Sequence, residues 1–331
     1  MNVEIRSHLS GGTLSAWHEL IKNAGLTAER CAERTVLVFE GDELIATGAR
    51  DGYVLKYLAV SESHRGEDLT SVVLSELRRD AFSDGYRHLF LYTKPENRYT
   101  LESLFFYPVV KSADVLVMEN KRGGLSDYLE SLPEAPKGGV VGAAVMNCNP
   151  FTLGHKHLIE RAAGECKHMF VFVLSEDKSD FSTADRLEMV RRGTRHLKNV
   201  TVLETGPYLI SSSTFPTYFL KDRERAGSAA CEVDIEMFAQ HLAPRLNITR
   251  RYVGTEPTSP LTAKYNGALK KMLPPRGVEV HEVERYIEDG APISASAVRE
   301  LIRQGDLAGV SRLVPKTTLA YLVEKNYLKE D

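Results

Sequence analysis

GVVGAAVMNCNPFTLGHKHLIERAA, residues 139–163, decides how the second half of this chain folds. The unbroken apolar run from Val140 to Met146 reads as a buried strand, and a helical pattern of apolar residues starts after a short polar loop. The alternation continues with HMFVFVLS (168–175) as a strand, DRLEMVRRG (185–193) as a helix and NVTVLET (199–205) as a third strand. RRYVGT (250–255) and VEVHEVER (278–285) add two more. Continuous apolar strands alternating with helices predict a doubly wound α/β domain, its parallel sheet covered on both faces. Ligands bind such sheets beyond the carboxyl ends of the strands. That rule puts 147–155, 175–181, 205–215 and 254–259 on one rim.

Upstream the rhythm differs. RTVLVFE (34–40) and ELIATGAR (43–50) flank Gly41-Asp42, a hairpin signal, and VLKYLAVS (54–61) follows. Apolar residues at 69, 72, 73, 77 and 81 then mark a helix ended near Gly85, HLFLYT (88–93) is a strand, and a last helix and strand fall within 99–119. This predicts an α+β domain over 1–122. The Gly- and Pro-containing stretch at 123–138 reads as an exposed connector with a short helix, and 139–331 as the second domain.

With 331 residues, two domains are expected. The net charge of −3, without a long basic block, argues against a nucleic-acid partner. No apolar run approaches the roughly 20 residues that cross a bilayer, and the start has no signal-peptide core, so a soluble cytoplasmic protein without a membrane partner is expected. Cys31, Cys148, Cys166 and Cys231 are scattered without metal-ligand spacing and read as reduced, structural thiols; no protein-held metal is expected.

Leu158, Ile159 and Ala162 lie three, four and seven residues after His155 and share its helix face. His155 therefore faces the strand ends. His157 lies about 200 degrees round the wheel and is expected in solvent. A helix start at a strand's carboxyl end carries unpaired N–H groups and partial positive charge, which suits a phosphate. Gly154 leaves room for close approach, while Thr152 and His155 add side-chain donors. A capping threonine with a core-edge histidine fits the same letters. A second such start is ISASAVRELIRQG (293–305), where Ser296 and Arg299, three apart, put a hydroxyl and a guanidinium on one helical turn. Alone, it is equally an ordinary capped helix.

Thr152 to His155, TLGH, matches the (H/T)-x-G-H signature of the nucleotidyltransferase superfamily, and ISASAVR (293–299) resembles its second signature, with Ser296 where threonine is commoner. The resemblance implies a Rossmann-like domain that binds ATP. Thr152, His155 and Arg299 would be catalytic, with Ser294, Ser296 and Arg299 on the β- and γ-phosphates and Ile293 also in the ATP site. Asn149, Phe151, Gly154, Gly254 and Glu256 are the further candidates for the ATP site, although Glu256 fits equally as a cap of the segment after it, and Asn149 and Phe151 are open in the same way. Longer segments, LSEDKSDFSTADRLEMVRRGTRHLKNV, YLISSSTFPTYFLKD and YVGTEPTSPLTAKYN, are similar to the citrate lyase synthetases (citrate lyase ligases). In the first domain, VLKYLAVSESHRGEDLTSVVLSEL resembles the acetyl-CoA loop of GCN5-related acetyltransferases, with Arg65 and Gly66 kept but Asp68 and Thr70 in place of the expected small residues.

These resemblances imply an acid–thiol ligase that forms acetyl-AMP from acetate and ATP, with Mg2+ accompanying the nucleotide. Its acceptor would be the thiol of the phosphoribosyl-dephospho-CoA group on the citrate lyase acyl carrier subunit. Lys178, Ser212, Ser213 and Thr214 are candidate contacts for that arm or for acetate, although a loop lysine and a polar turn are equally ordinary surface features. Two other functions fit the same motifs: an adenylyltransferase acting on a phosphopantetheine-like acceptor, and a non-catalytic module that binds CoA or an acyl carrier.

Overall fold

The computed structural model describes residues 1–28, 32–175, 179–209, 216, 218–220, 223–256, 259–288 and 290–329. Two compact units form: Met1–Asp127 with Ser212–Glu236, and Tyr128–Ser211 with Met237–Asp331.

The first unit runs β1 (Asn2–Arg6), α1 (Gly11–Asn23), β2 (Arg34–Glu40), β3 (Glu43–Asp51), β4 (Val54–Val60), α2 (Leu69–Ser83), β5 (Phe90–Thr93), α3 (Arg98–Ser103), β6 (Tyr107–Lys111) and β7 (Leu116–Glu119), before α4 (Gly124–Ser131). Its sheet has the order β1-β2-β3-β4-β5-β7-β6. The pairings are antiparallel except β4 with β5, which are parallel. Leu69, Val73, Leu77 and Ala81 of α2 pack on Val36, Val38 and Ile45, as their periodicity requires. Where one final strand was expected, two form, β6 and β7, because Ser112 N–H turns the chain back to the carbonyl of Val115.

The second unit runs β8 (Val141–Met146), α5 (Leu153–Glu165), β9 (His168–Val173), α6 (Thr183–Thr194) and β10 (Val200–Glu204). After α7 (Arg223–Met237) it resumes with α8 (Ala243–Leu246), β11 (Arg250–Gly254), α9 (Pro260–Met272), β12 (Glu279–Val283), the small hairpin β13 (Ile287–Glu288) and β14 (Ala291–Pro292), α10 (Ala295–Gln304), α11 (Leu307–Leu313) and α12 (Lys316–Glu324). The sheet order β10-β9-β8-β11-β12 is parallel throughout, with the central strand first in sequence. Winding outward in both directions from β8 puts the loop after β8 at the point where strand order reverses. Ile159 and Ala162 of α5 are buried with Ala144, Val171, Val190 and Val298 in one core, which fixes the first turn of α5 over the strand ends.

Two boundary expectations change. The connector is bound rather than free: Arg245 donates to the carbonyls of Leu129 (2.8 Å), Leu132 (2.8 Å) and Pro133 (3.1 Å), and the Tyr128 hydroxyl donates to the carbonyl of Glu204 (3.1 Å). The second domain is also not continuous, because 212–236 joins the first unit. The buried Tyr218 explains why: its hydroxyl donates to the carbonyl of Tyr92 (2.9 Å), its own carbonyl accepts from Thr27 N–H (2.7 Å), and its ring lies 4.7 Å from that of Tyr57. Cys148, Cys166 and Cys231 are buried and form no disulfide among the described residues, and burial pushes the Cys148 thiol up to about 12. Cys31 lies outside the described residues. No helix among the described residues is long and apolar enough to cross a membrane.

Candidate active site

Thr152 is the N-cap of α5, with extended backbone (φ −109°, ψ 169°). Its hydroxyl oxygen accepts from His155 N–H (3.4 Å), and its own N–H donates to His155 Nδ1 (3.1 Å). This is a capping box in which histidine takes the place usually held by Glu or Gln. The bond also sets the tautomer. A backbone N–H can only donate, so Nδ1 is an acceptor and the proton of the neutral ring sits on Nε2. Burial, and then the positive charge of Arg285, lower the His155 pKa from 6.5 to about 4. The capping box uses Nδ1 of His155 and leaves its Nε2 proton outside the box.

The sign of that shift gives a stability test. The unfolded chain protonates near 6.5 and the folded ring only near 4. This group therefore lowers stability as pH falls through that window and has no effect above it. His155→Gln is expected to flatten the dependence of unfolding free energy on pH between about 4 and 6.5. Urea titrations across that range test this; an unchanged slope counts against the neutral ring.

A cavity of about 490 Å³ opens beside this helix start. Of the residues singled out in the sequence, Thr152, Gly154, His155, Gly254, Glu256, Ile293, Ser294 and Ser296 line it. At Gly154 an added Cβ would meet protein atoms only at 3.6 Å or beyond, so the chain itself does not require the glycine. Opposite, Ser294 caps α10 by position (φ −114°, ψ 128°) without a capping bond from its side chain. Two helix N-termini, each with unpaired N–H groups, therefore serve one cavity.

Asn149, Phe151 and Arg299 stand behind the lining. The Asn149 side chain accepts from Phe181 N–H (3.2 Å), and the Phe151 ring is stacked 6.0 Å from that of His155. Gly193 admits the Phe151 ring, which would overlap any Cβ there. Arg299 donates to the Asn149 carbonyl (2.7 Å) and to Ser296 Oγ (3.2 Å), and its Nε lies 3.0 Å from the Asp180 carboxylate. It thereby ties the two motifs together. Glu256 is occupied as well as lining: one oxygen accepts from Ser259 N–H (3.0 Å) and the other pairs with Arg285.

Sequence reasoning missed three arginines. Arg285, a cavity residue, donates to the carbonyl of Thr255 (2.7 Å). It stands two residues past the end of β12, so the rule used for the other strand ends would have found it. Arg186 is fully buried in α6 and donates to the carbonyls of Asn147 (2.9 Å), Leu174 (2.7 Å) and Phe181 (3.2 Å). It locks the loops after β8 and β9 together. Arg251, in β11, also lines the cavity. His157 departs from expectation too. It is half-buried, its ring 5.6 Å from that of Tyr286, because the chain entering the β13–β14 hairpin passes over it.

Lys178, Ser212, Ser213 and Thr214 lie outside the described residues. Arg65 and Gly66 remain an exposed turn of the first unit, Arg65 ion-paired with Glu62 at 3.5 Å. No group of three His, Cys, Asp or Glu side chains among the described residues is placed to hold a metal.

A parallel α/β unit with two helix N-termini at one cavity, on the same chain as a largely antiparallel α+β unit, defines the class. Two solved structures align with parts of it. Escherichia coli ElaA aligns with 37% of this chain and 100% of its own (18% identity, TM-score 0.33), and the pantothenate synthetase of Thermus thermophilus with 60% and 80% (16% identity, TM-score 0.36). The citrate lyase ligase C-terminal domain family matches residues 141–322, and the [citrate [pro-3S]-lyase] ligase of Klebsiella pneumoniae is 40% identical over 90% of this chain and 89% of its own. The chain belongs to the citrate lyase ligase family.

Proposed function

We propose that the chain activates acetate with ATP and acetylates the thiol of the phosphoribosyl-dephospho-CoA group on the citrate lyase acyl carrier subunit. A carboxylate oxygen of acetate attacks the α-phosphorus, and pyrophosphate leaves with the bonding pair of the broken P–O bond. The thiol sulfur, its proton lost to solvent, then attacks the acetyl carbonyl carbon and AMP departs. The observation that carries this is the meeting of the α5 and α10 N-termini at one cavity beside a neutral, Nε2-protonated His155.

In this mechanism Nε2–H of His155 donates to the α-phosphoryl oxygen as charge grows there, and the free N–H groups of α5 hold the same phosphate. Ser294, Ser296 and the first turn of α10 hold the β- and γ-phosphates, with Arg299 exchanging Asp180 for the leaving pyrophosphate. Gly254 and Glu256 flank the nucleoside end. Mg2+ would accompany the nucleotide and supply positive charge that offsets the charge of the departing pyrophosphate.

The test is incubation with ATP, Mg2+, acetate and deacetylated citrate lyase, following AMP and lyase activity together. Both should appear only when all four are present. Pyrophosphate release that ignores acetate and needs a phosphopantetheine-like acceptor would make the protein an adenylyltransferase. ATP binding with no turnover would make it a binding module.

A further inference from the structure

Arg251 is 2% exposed, yet its Nε and Nη1 have no hydrogen-bond partner, and it forms no ion pair among the described residues. The face of its guanidinium is covered by Phe238, whose ring centre lies 4.5 Å from Cζ. Arg251 is among the residues that line the same cavity as His155. A buried cation with unused donors is destabilising unless an anion completes it.

The position of Arg251 restricts which anion fits. Arg251 pairs in register with Ala143 of β8, three residues before Met146 at the carboxyl end of that strand. At about 3.3 Å per residue its backbone starts roughly 10 Å below the rim. The triphosphate donors, at the first turns of α5 and α10, are on the rim itself. Beside Arg251 the wall is apolar, made by Val145 and Val253. A small anion with one apolar end suits this place, and a second phosphate chain does not.

We infer that Arg251 is the residue that binds the carboxylate of the acid substrate, seating acetate at the floor of the cavity beneath the α-phosphate. One carboxylate oxygen rests on the guanidinium and the other is left to attack phosphorus. This rests on the acid-activating function proposed above.

The experiment compares acetate-dependent exchange of labelled pyrophosphate into ATP by the wild-type chain, Arg251→Met and Arg251→Lys, together with binding of a non-hydrolysable ATP analogue. The expected result is a rise in acetate KM of about ten- to a hundredfold in both variants, with analogue Kd within about twofold, because only a charge-assisted contact to acetate is lost. Should the methionine variant fail to fold, the lysine variant and the wild-type chain still decide it: with the analogue bound, the Arg251 Nε–H resonance of the wild type shifts as acetate is added. Normal wild-type exchange with unchanged acetate KM in the lysine variant, or a resonance that acetate does not move, overturns the assignment of Arg251 alone. Absence of acetate-dependent exchange in the wild type overturns the acid-activating function and this assignment with it.

Discussion

His155→Ala is expected to lower kcat by roughly two to three orders of magnitude while changing ATP affinity little, as when other transition-state donors are removed. The expectation rests on a particular proton. Nδ1 is committed to Thr152 N–H, so only Nε2 is left to donate, and a ring with a pKa near 4 stays neutral through the working range until a phosphate approaches. The donor then follows charge that develops in the transition state, which is why kcat carries the loss. His157→Ala is the control. Its ring packs on Tyr286 and is not among the cavity-lining residues, so kcat should stay close to wild type. Steady-state kinetics with varied ATP and acetate check both. Equal losses from the two substitutions would remove His155 from its assigned role.

Arg186→Met should destabilise the second unit by about 3–5 kcal/mol, the usual consequence of breaking a buried polar cluster and stranding its acceptors. The guanidinium serves carbonyls from three separate stretches, at Asn147, Leu174 and Phe181, as well as Thr183 Oγ1 at 3.0 Å. Methionine fills the space and satisfies none of them. Lysine cannot reach in several directions at once, so Arg186→Lys should recover little. Urea unfolding measures the difference. A methionine variant as stable as the wild type would show that these loops hold their shape without the guanidinium.

The parts of the molecule that the sequence discloses are those where one pattern has one cause. β8 and β9 lie within a residue or two of the expected runs, because strands buried on both faces must be apolar throughout. Helix phase puts His155 over the strand ends for a similar reason, since the buried stripe of α5 leaves its face no other direction. β1 carries no such signal: NVEIR is an edge strand, half-exposed along its length, and its letters fit a loop equally well. The buried arginines are the sharper failure. Arginine normally marks the surface, and nothing near Arg186 or Arg251 in sequence announces the carbonyls or the cavity that receive them. His157 escapes the wheel because a helical wheel knows only its own helix, and the residue covering this one is Tyr286.

The segment that leaves the second unit for the first has a bearing on how the protein can be taken apart. The family match over 141–322 runs straight through 212–236, so a homologous stretch and a folding unit are not the same piece of chain. Cutting the gene near codon 139 would yield a fragment with every residue lining the cavity beside His155 and an orphan limb, its Tyr218 deprived of Tyr57, Tyr92 and Thr27. The complementary fragment would lack that tyrosine. Each half is thus a poor reagent for studying the activity of the other, and co-expression of both halves is the fair trial of whether they still assemble.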